Sequence, residues 1–465
     1  MGKELQKSAR INKRDIKSEH GNNPQPYSGT SGRRRKKRCP AEAPVDILLK
    51  TVNHFFPDMN DWFNKVEEFR NVPRCRYTRS HLIWSGVLMY LLHCGSRMQY
   101  NCETDTRTFG TNMKKLCGQK DVDTMAHGDT VAWFLSKVSD DCFKVLLSKL
   151  IKRLIRMKAL DAFRFNGYFT VAIDGTGVHS FDKEPWPGCP YKTINGKKIY
   201  QLYVVDAKLV TPSGLSLTIA TVCLENEKDF KKQDCEKKAF YKLQDEIKRF
   251  YPRTKFCFLL DSLFADRNVI SSIEKSNNKY MIMFKSGSMP ERYNEALSLA
   301  KMQSENRKTE KDSKEHHTVQ WAEQLPLGDF KSNVLFCKTK GKEKTTIFVW
   351  LTNFSINIYN VCQLAKGGRL RWKIENEGFK VQKKNGYEME HMYSRHLNGF
   401  KNLYIILQIA HIINQLIQHG SLIKHFKATY QTMKNFVRRM AESLRNNTAV
   451  YIENKSGQVR LRAPT

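Results

Sequence analysis

The sequence predicts an α/β protein: a mixed sheet flanked by helices, preceded by an all-helical region and interrupted by a β-rich insertion. Three observations predict it. From Pro44 to about Leu160, apolar residues recur at spacings of three and four, the period of buried helix faces. At Tyr168 the pattern changes to β-branched and aromatic runs, the composition of strands. From there three strand-like segments in a row give way to alternating helix and strand, the order of a mixed rather than a doubly wound sheet.

Residues 1–43 are polar and carry "GRRRKKRC", with six consecutive cations, Arg33, Arg34, Arg35, Lys36, Lys37 and Arg38. Such a segment cannot build a core and is expected to be a disordered basic arm. Its charges suit DNA phosphates; the same letters also fit a nuclear localisation signal or a solvated tail. Residues 44–160 follow as a helical DNA-binding domain. Within it "HGDTVAWFLSKVSDDCFKVLLSKLIKRLIRM" opens with Asp129 as the expected N-cap.

Residues 161–285 begin the sheet. "YFTVAIDGTGVHSF" reads as a strand ending in Asp174 and a glycine-rich turn. "KKIYQLYVVDAKLV" and "LSLTIATVCLEN", split by "TPSG", complete an antiparallel meander. After the charged helix "DFKKQDCEKKAFYKLQDEIKRF", the strand "KFCFLLDS" ends in Asp261, followed by the helix "ADRNVISSIEKS" and the strand "KYMIMFKSG". Residues 286–364 form the insertion: a charged loop, "SENRKTEKDSKEHH", then three strand-like segments containing Trp321 and Trp350. Residues 365–425 return to helix. There "LYIILQIAHIINQLIQ" is broken by Gln408, His411, Asn414 and Gln415 and reads as a buried helix rather than a membrane span. A C-terminal helix and tail occupy 426–465.

Charge points to the partner. Lys and Arg outnumber Asp and Glu by 79 to 46, a formal net charge of +33, and such an excess draws a polyanion. Double-stranded DNA is expected and a membrane is not. The N-terminus has no apolar signal region, and the twelve cysteines form neither CxxC pairs nor a Cys/His quartet, so reduced thiols in a cytoplasmic, nucleoid-associated protein are expected.

Asp174 and Asp261 each close an apolar strand, where a buried unpaired carboxylate is costly. Two such carboxylates at adjacent strand ends can hold a divalent cation with hard oxygen ligands. Each also suits a turn or N-cap. Asp266 reads as the cap of the following helix, and Asp206, mid-strand, as facing a neighbour. In "GGRLRWKIENEGF", Glu375 falls 40° from Arg371 on an α-helix, while Glu377 falls about 120° to the other side. Arg371 is therefore expected to orient Glu375 or bind a phosphate beside it.

Two strand-end aspartates, a β-rich insertion and a helix reading "RWKIENEGF" resemble the DDE transposases of bacterial insertion sequences. The resemblance covers about residues 125–420. It implies an RNase-H-like catalytic domain, with Asp174, Asp261 and Glu375 as the catalytic and metal-binding triad. Mg²⁺ is the implied cofactor, with Mn²⁺ able to substitute. The implied activity is cleavage at the ends of a mobile element and joining of the 3′-OH ends to target DNA, by a homodimer bridging two ends. Arg371 matches the arginine one turn before the acid. Two positions depart from the pattern: Gly368 stands where many relatives have tyrosine, and Gln382 where they have lysine, with Lys383 next to it. A nuclease of the same fold, or a non-catalytic DNA-binding derivative, are the alternatives.

Overall fold

The computed structural model describes residues 42–226, 235–311, 315–341, 345–423, 425–450 and 459–462. The arm with Arg33, Arg34, Arg35, Lys36, Lys37 and Arg38 lies outside the described residues.

Among the described residues, seven α-helices precede the sheet: α1 (Pro44–Phe55), α2 (Met59–Asn64), α3 (Arg79–Leu91), α4 (Arg97–Thr104), α5 (Arg107–Cys117), α6 (Gly128–Lys137) and α7 (Asp140–Arg156). Hydroxyls mark several starts: Thr78, Ser96, Thr106 and Ser139 each accept a hydrogen bond from a backbone N–H two or three residues on. The start of α6 differs from expectation. His127 is the N-cap, and Asp129 lies inside the first turn, where it pairs with Arg97 at 2.7 Å. Gly128 opens the helix because its backbone lies against Arg97, where a Cβ would come within 2.9 Å of the arginine Cβ.

The strands are β1 (Phe169–Phe181), β2 (Tyr191–Ile194), β3 (Lys197–Val210), β4 (Ser216–Cys223), β5 (Phe256–Leu260), β6 (Lys279–Met283), β7 (Arg307–Lys311), β8 (His316–Leu327), β9 (Phe330–Lys340) and β10 (Thr345–Thr352). All ten belong to one sheet, in the order β2-β3-β1-β5-β6-β10-β9-β8-β7, with β4 also on β3. The β1–β5 and β5–β6 pairs are parallel and the others antiparallel. The mixed α/β class and the meander β1-β3-β4 are as expected.

Two strands escape the sequence reading. β2 joins β3 through Asn195 and Gly196, both at positive φ, the pairing that two-residue hairpins demand. β7 lies in the segment expected to be a charged loop. It is an edge strand, where charged side chains discourage further pairing. The insertion also adds to the existing sheet: β10 pairs with β6, placing Trp350 beside Met283.

Helices α8 (Glu236–Phe250), α9 (Arg267–Lys275) and α10 (Pro290–Met302) connect strands. After β10 come α11 (Val361–Gly368), α12 (Lys380–Lys384), α13 (Leu397–His419), α14 (Phe426–Tyr430) and α15 (Met433–Asn446). The expected buried helix is α13, wedged among α3, α6, α7 and β4. Among the described residues no helix is long and apolar enough to cross a membrane. Its polar residues fasten it to its neighbours. Asn402 donates to the carbonyls of Leu135 and Val138, both at 2.7 Å, and Gln415 accepts from Ser216 N–H at 2.6 Å. Gln408 accepts from Lys208, Thr218 and Gln382 within 2.8 Å.

Beneath α13 Lys208 and Asp206, both fully buried, pair at 2.9 Å, and the Tyr404 hydroxyl donates to Asp206 at 2.8 Å. Asp206 thus faces a neighbour, as its mid-strand place implied. Removing one partner strands the other charge in the core, so Asp206→Ala should lower stability by about 3–5 kcal/mol. Thermal or denaturant unfolding reads this, and a loss below about 1 kcal/mol would contradict a buried, paired charge.

Candidate functional site

Register places the two aspartates. Ala172 on β1 lies beside Leu259 on β5, so two residues further Asp174 and Asp261 stand level at adjoining points on parallel neighbours. The buried run Val171–Ile173 anchors β1, whereas the Asp174 side chain is 27% exposed. Asp261 also serves as a cap: its carboxylate accepts from Leu263 N–H at 3.0 Å, at the start of a 3₁₀ turn. Asp266 caps α9 as expected and pairs with Lys237 at 3.2 Å.

Arg371 reaches this edge from the other side of the chain. Its guanidinium pairs with Asp174 at 3.1 Å, and its Nε is buried with no hydrogen-bond partner. It therefore binds the first aspartate and does not orient Glu375. The segment is not the uniform α-helix that the angular reckoning assumed. Arg369–Trp372 is a 3₁₀ turn and Ile374–Phe379 a π-helix, closed by Lys380 N–H donating to the Glu375 carbonyl. Rare π turns often mark functional sites.

Glu375 is exposed to solvent. Glu377 pairs with Lys373 at 3.0 Å and approaches Gly214, in the turn after β3. Because Leu209 near the end of β3 pairs with Val171 near the start of β1, Glu377 faces away from Asp174. β1 does not end at Asp174 in a glycine-rich turn as expected: it runs on through Gly175 and Gly177 to Phe181, because these residues keep their pairing with β3. Lys383 donates to the Gly177 carbonyl at 2.8 Å, over the middle of β1, while Gln382 is buried against Gln408 and His411. Gly368 cannot be a tyrosine here: even a Cβ would lie 2.6 Å from the Trp350 ring. Trp350 is 1% exposed and Trp321 5%, so both fill the core, and Trp350 has no face open for a base. Phe379 is buried too, but Trp372 is 42% exposed, edge-on to Phe348.

One acid escaped the sequence reading. Glu236, the first residue of α8, accepts a short hydrogen bond from the Tyr203 hydroxyl, and both crowd Gly175. A Cβ at Gly175 would lie 2.7 Å from a Glu236 oxygen, so this glycine makes room for Tyr203 and Glu236. The glycine was a signal of close approach; nothing distinguished Glu236 within its charged helix.

The site is acid-rich for its burial. Burial raises the Asp174 carboxyl from the usual 3.8 to about 6, opposed by Arg371 and the Gly175 N–H and reinforced by Asp261 and Glu236. Burial and the same three carboxylates hold the Tyr203 proton well above its usual range. Beside Asp261 opens a depression of about 920 Å³ lined by Lys237, Arg267 and Lys285. It lies outside the carboxyl ends of parallel strands, the usual ligand position in such sheets.

Asp174 and Asp261 suit a hard divalent cation by donor type and level placement. Among the described residues, no three His, Cys, Asp or Glu side chains converge closely enough to hold a metal. Glu375 is the expected donor that stands apart. No known family model matches the chain, and no curated protein matches it.

A carboxyl whose folded pKa is raised is favoured in its protonated form, so its ionisation opposes folding. Wild-type stability relative to Asp174→Asn should fall as pH rises from about 4 through about 6 and level off above. Melting both proteins across that window measures it; a difference independent of pH would contradict the burial of Asp174.

Proposed function

We propose that the protein is a Mg²⁺-dependent DDE transposase, which cuts DNA at the ends of a mobile element and joins the 3′-OH ends to target DNA. The observation that carries this reading is the level pair Asp174 and Asp261 on parallel neighbours, crossed by a helix that delivers Arg371 to Asp174. The sheet supports it. An antiparallel β4-β3-β1 followed by parallel β5 and β6 is the strand order of an RNase-H-like core, and the insertion enters after β6.

Asp174 and Asp261 would hold a divalent cation, Mg²⁺ or Mn²⁺, with Glu375, which stands apart from them here, as a third donor on turning inward; the cation's Lewis acidity would activate water or a 3′-hydroxyl and offset charge on the leaving oxygen. The chain's own residues do the remaining work. Arg371 neutralises Asp174 and is placed to turn its fork to a phosphate entering beside it. Lys237, Arg267 and Lys285 line the adjacent depression and bind backbone phosphates in register, with the basic arm adding sequence-independent affinity. The π turn supports reading Lys383 as the displaced lysine. It absorbs one extra residue, so Lys383 takes the place that a residue seven beyond Glu375 would hold on a plain α-helix. Bridging two element ends calls for a homodimer in the DNA complex.

Asp174→Asn, Asp261→Asn and Glu375→Gln should each abolish Mg²⁺-dependent DNA cleavage while leaving DNA binding largely intact. Glu377→Gln should cleave normally. Cleavage assays with Mg²⁺ and with Mn²⁺ on DNA flanking the gene test this set. Full activity in any of the first three variants removes that residue from the site.

A further inference from the structure

A second concave surface lies near the far end of β1. It measures about 610 Å³ and is lined by Trp133 on α6, Arg97 at the start of α4, and His391, Arg395 and His396. Trp133 is 49% exposed and leans edge-on against Phe69, itself 40% exposed, with ring centroids 5.3 Å apart. Two large aromatics left open beside arginines are unlike the rest of the helical region, whose aromatics are mostly in the core. Asp129 pairs with Arg97, and Glu390 with Lys383 and Lys384, while Glu388 lies near His391. Arg395 is exposed and has no acidic partner among the described residues.

The surface is tied to the candidate site. Lys383 reaches Gly177, and the His179 ring bonds the Glu390 carbonyl at 3.1 Å, so residues 388–396 run from β1 to Trp133's depression. His179 lies five residues beyond Asp174, roughly 16 Å along the strand.

We infer that this depression binds a stretch of unpaired DNA strand leading away from the candidate site, with a base stacked on Trp133 and a phosphate on Arg395. The direction of the strand rests on the function proposed above; the binding itself does not. Stacking needs a flat, open ring and tolerates any base, and an arginine free of carboxylate partners is left for a phosphate.

Binding of labelled oligothymidine to the full chain, followed by fluorescence anisotropy across a salt series, tests it. Trp133→Leu, which keeps apolar bulk without a ring, should weaken binding about tenfold, and Trp133→Phe by no more than about threefold. Arg395→Gln should flatten the slope of log K against log salt by about 0.7. Photocrosslinking of the unaltered protein to 5-iodouracil DNA, with the adduct mapped by mass spectrometry, should mark Trp133 and does not depend on any variant folding. Wild-type affinity in Trp133→Leu overturns the inference, as does an adduct map without Trp133. So does a change in oligomeric state with unchanged DNA binding, which would make the patch a protein interface. Asp174→Asn should keep the Trp133-dependent binding. Trp133-dependent binding by a protein that never cleaves would defeat the proposed function alone, and cleavage with Trp133-independent binding would defeat this inference alone.

Discussion

The helical segment after β10 lies directly on the sheet, and the candidate site depends on that closeness. Three glycines permit it. A Cβ at Gly367 would lie 2.4 Å from the Phe165 ring, at Gly368 2.6 Å from Trp350, and at Gly378 3.1 Å from Lys208 and Ser216. The segment therefore crosses from β10 to β3 and β4 with no side-chain layer at these points, and Arg371 midway can reach Asp174. Fitting this path distorts the helix into a 3₁₀ turn followed by a π turn.

Below the segment, the sheet and α13 fix what the helix crosses. Parallel register sets Asp174 level with Asp261, and buried amides on α13 bind both the sheet and the helices before it. Low polarity around the edge explains why Asp174 holds a proton so tightly: burial outweighs its arginine, and two further acids add to it. This carboxylate-rich edge with one arginine adjoins a depression lined by Lys237, Arg267 and Lys285 together with Asp261 and Asp266.

Much of this was legible in the sequence, for identifiable reasons. Long apolar runs fixed the strands that carry Asp174 and Asp261, because a buried strand needs unbroken β-branched or aromatic character. The polar breaks in "LYIILQIAHIINQLIQ" correctly excluded a membrane span, and each proved to have a buried partner. The short strand β2 was missed, although Asn195-Gly196 signals its hairpin. What stayed hidden depended on tertiary contact. β7 is too charged to declare itself, the helix distortion follows from packing against Trp350 and Phe165, and Glu236 meets Tyr203 only across the fold. The Arg371–Asp174 pair spans 197 positions, beyond any local periodicity.

The claim that most needs testing is joining, since cutting alone is also what a nuclease of this fold would do. Purified protein, Mg²⁺ and a supercoiled plasmid are combined with an oligonucleotide carrying the DNA that flanks the gene and a free 3′-OH at its end. Gel analysis of the plasmid measures covalent transfer. The account predicts oligonucleotide joined to plasmid, dependent on the 3′-hydroxyl and on Asp174. Protein that cuts the flanking DNA yet never joins the pre-cut end, with Mg²⁺ or Mn²⁺, would contradict it.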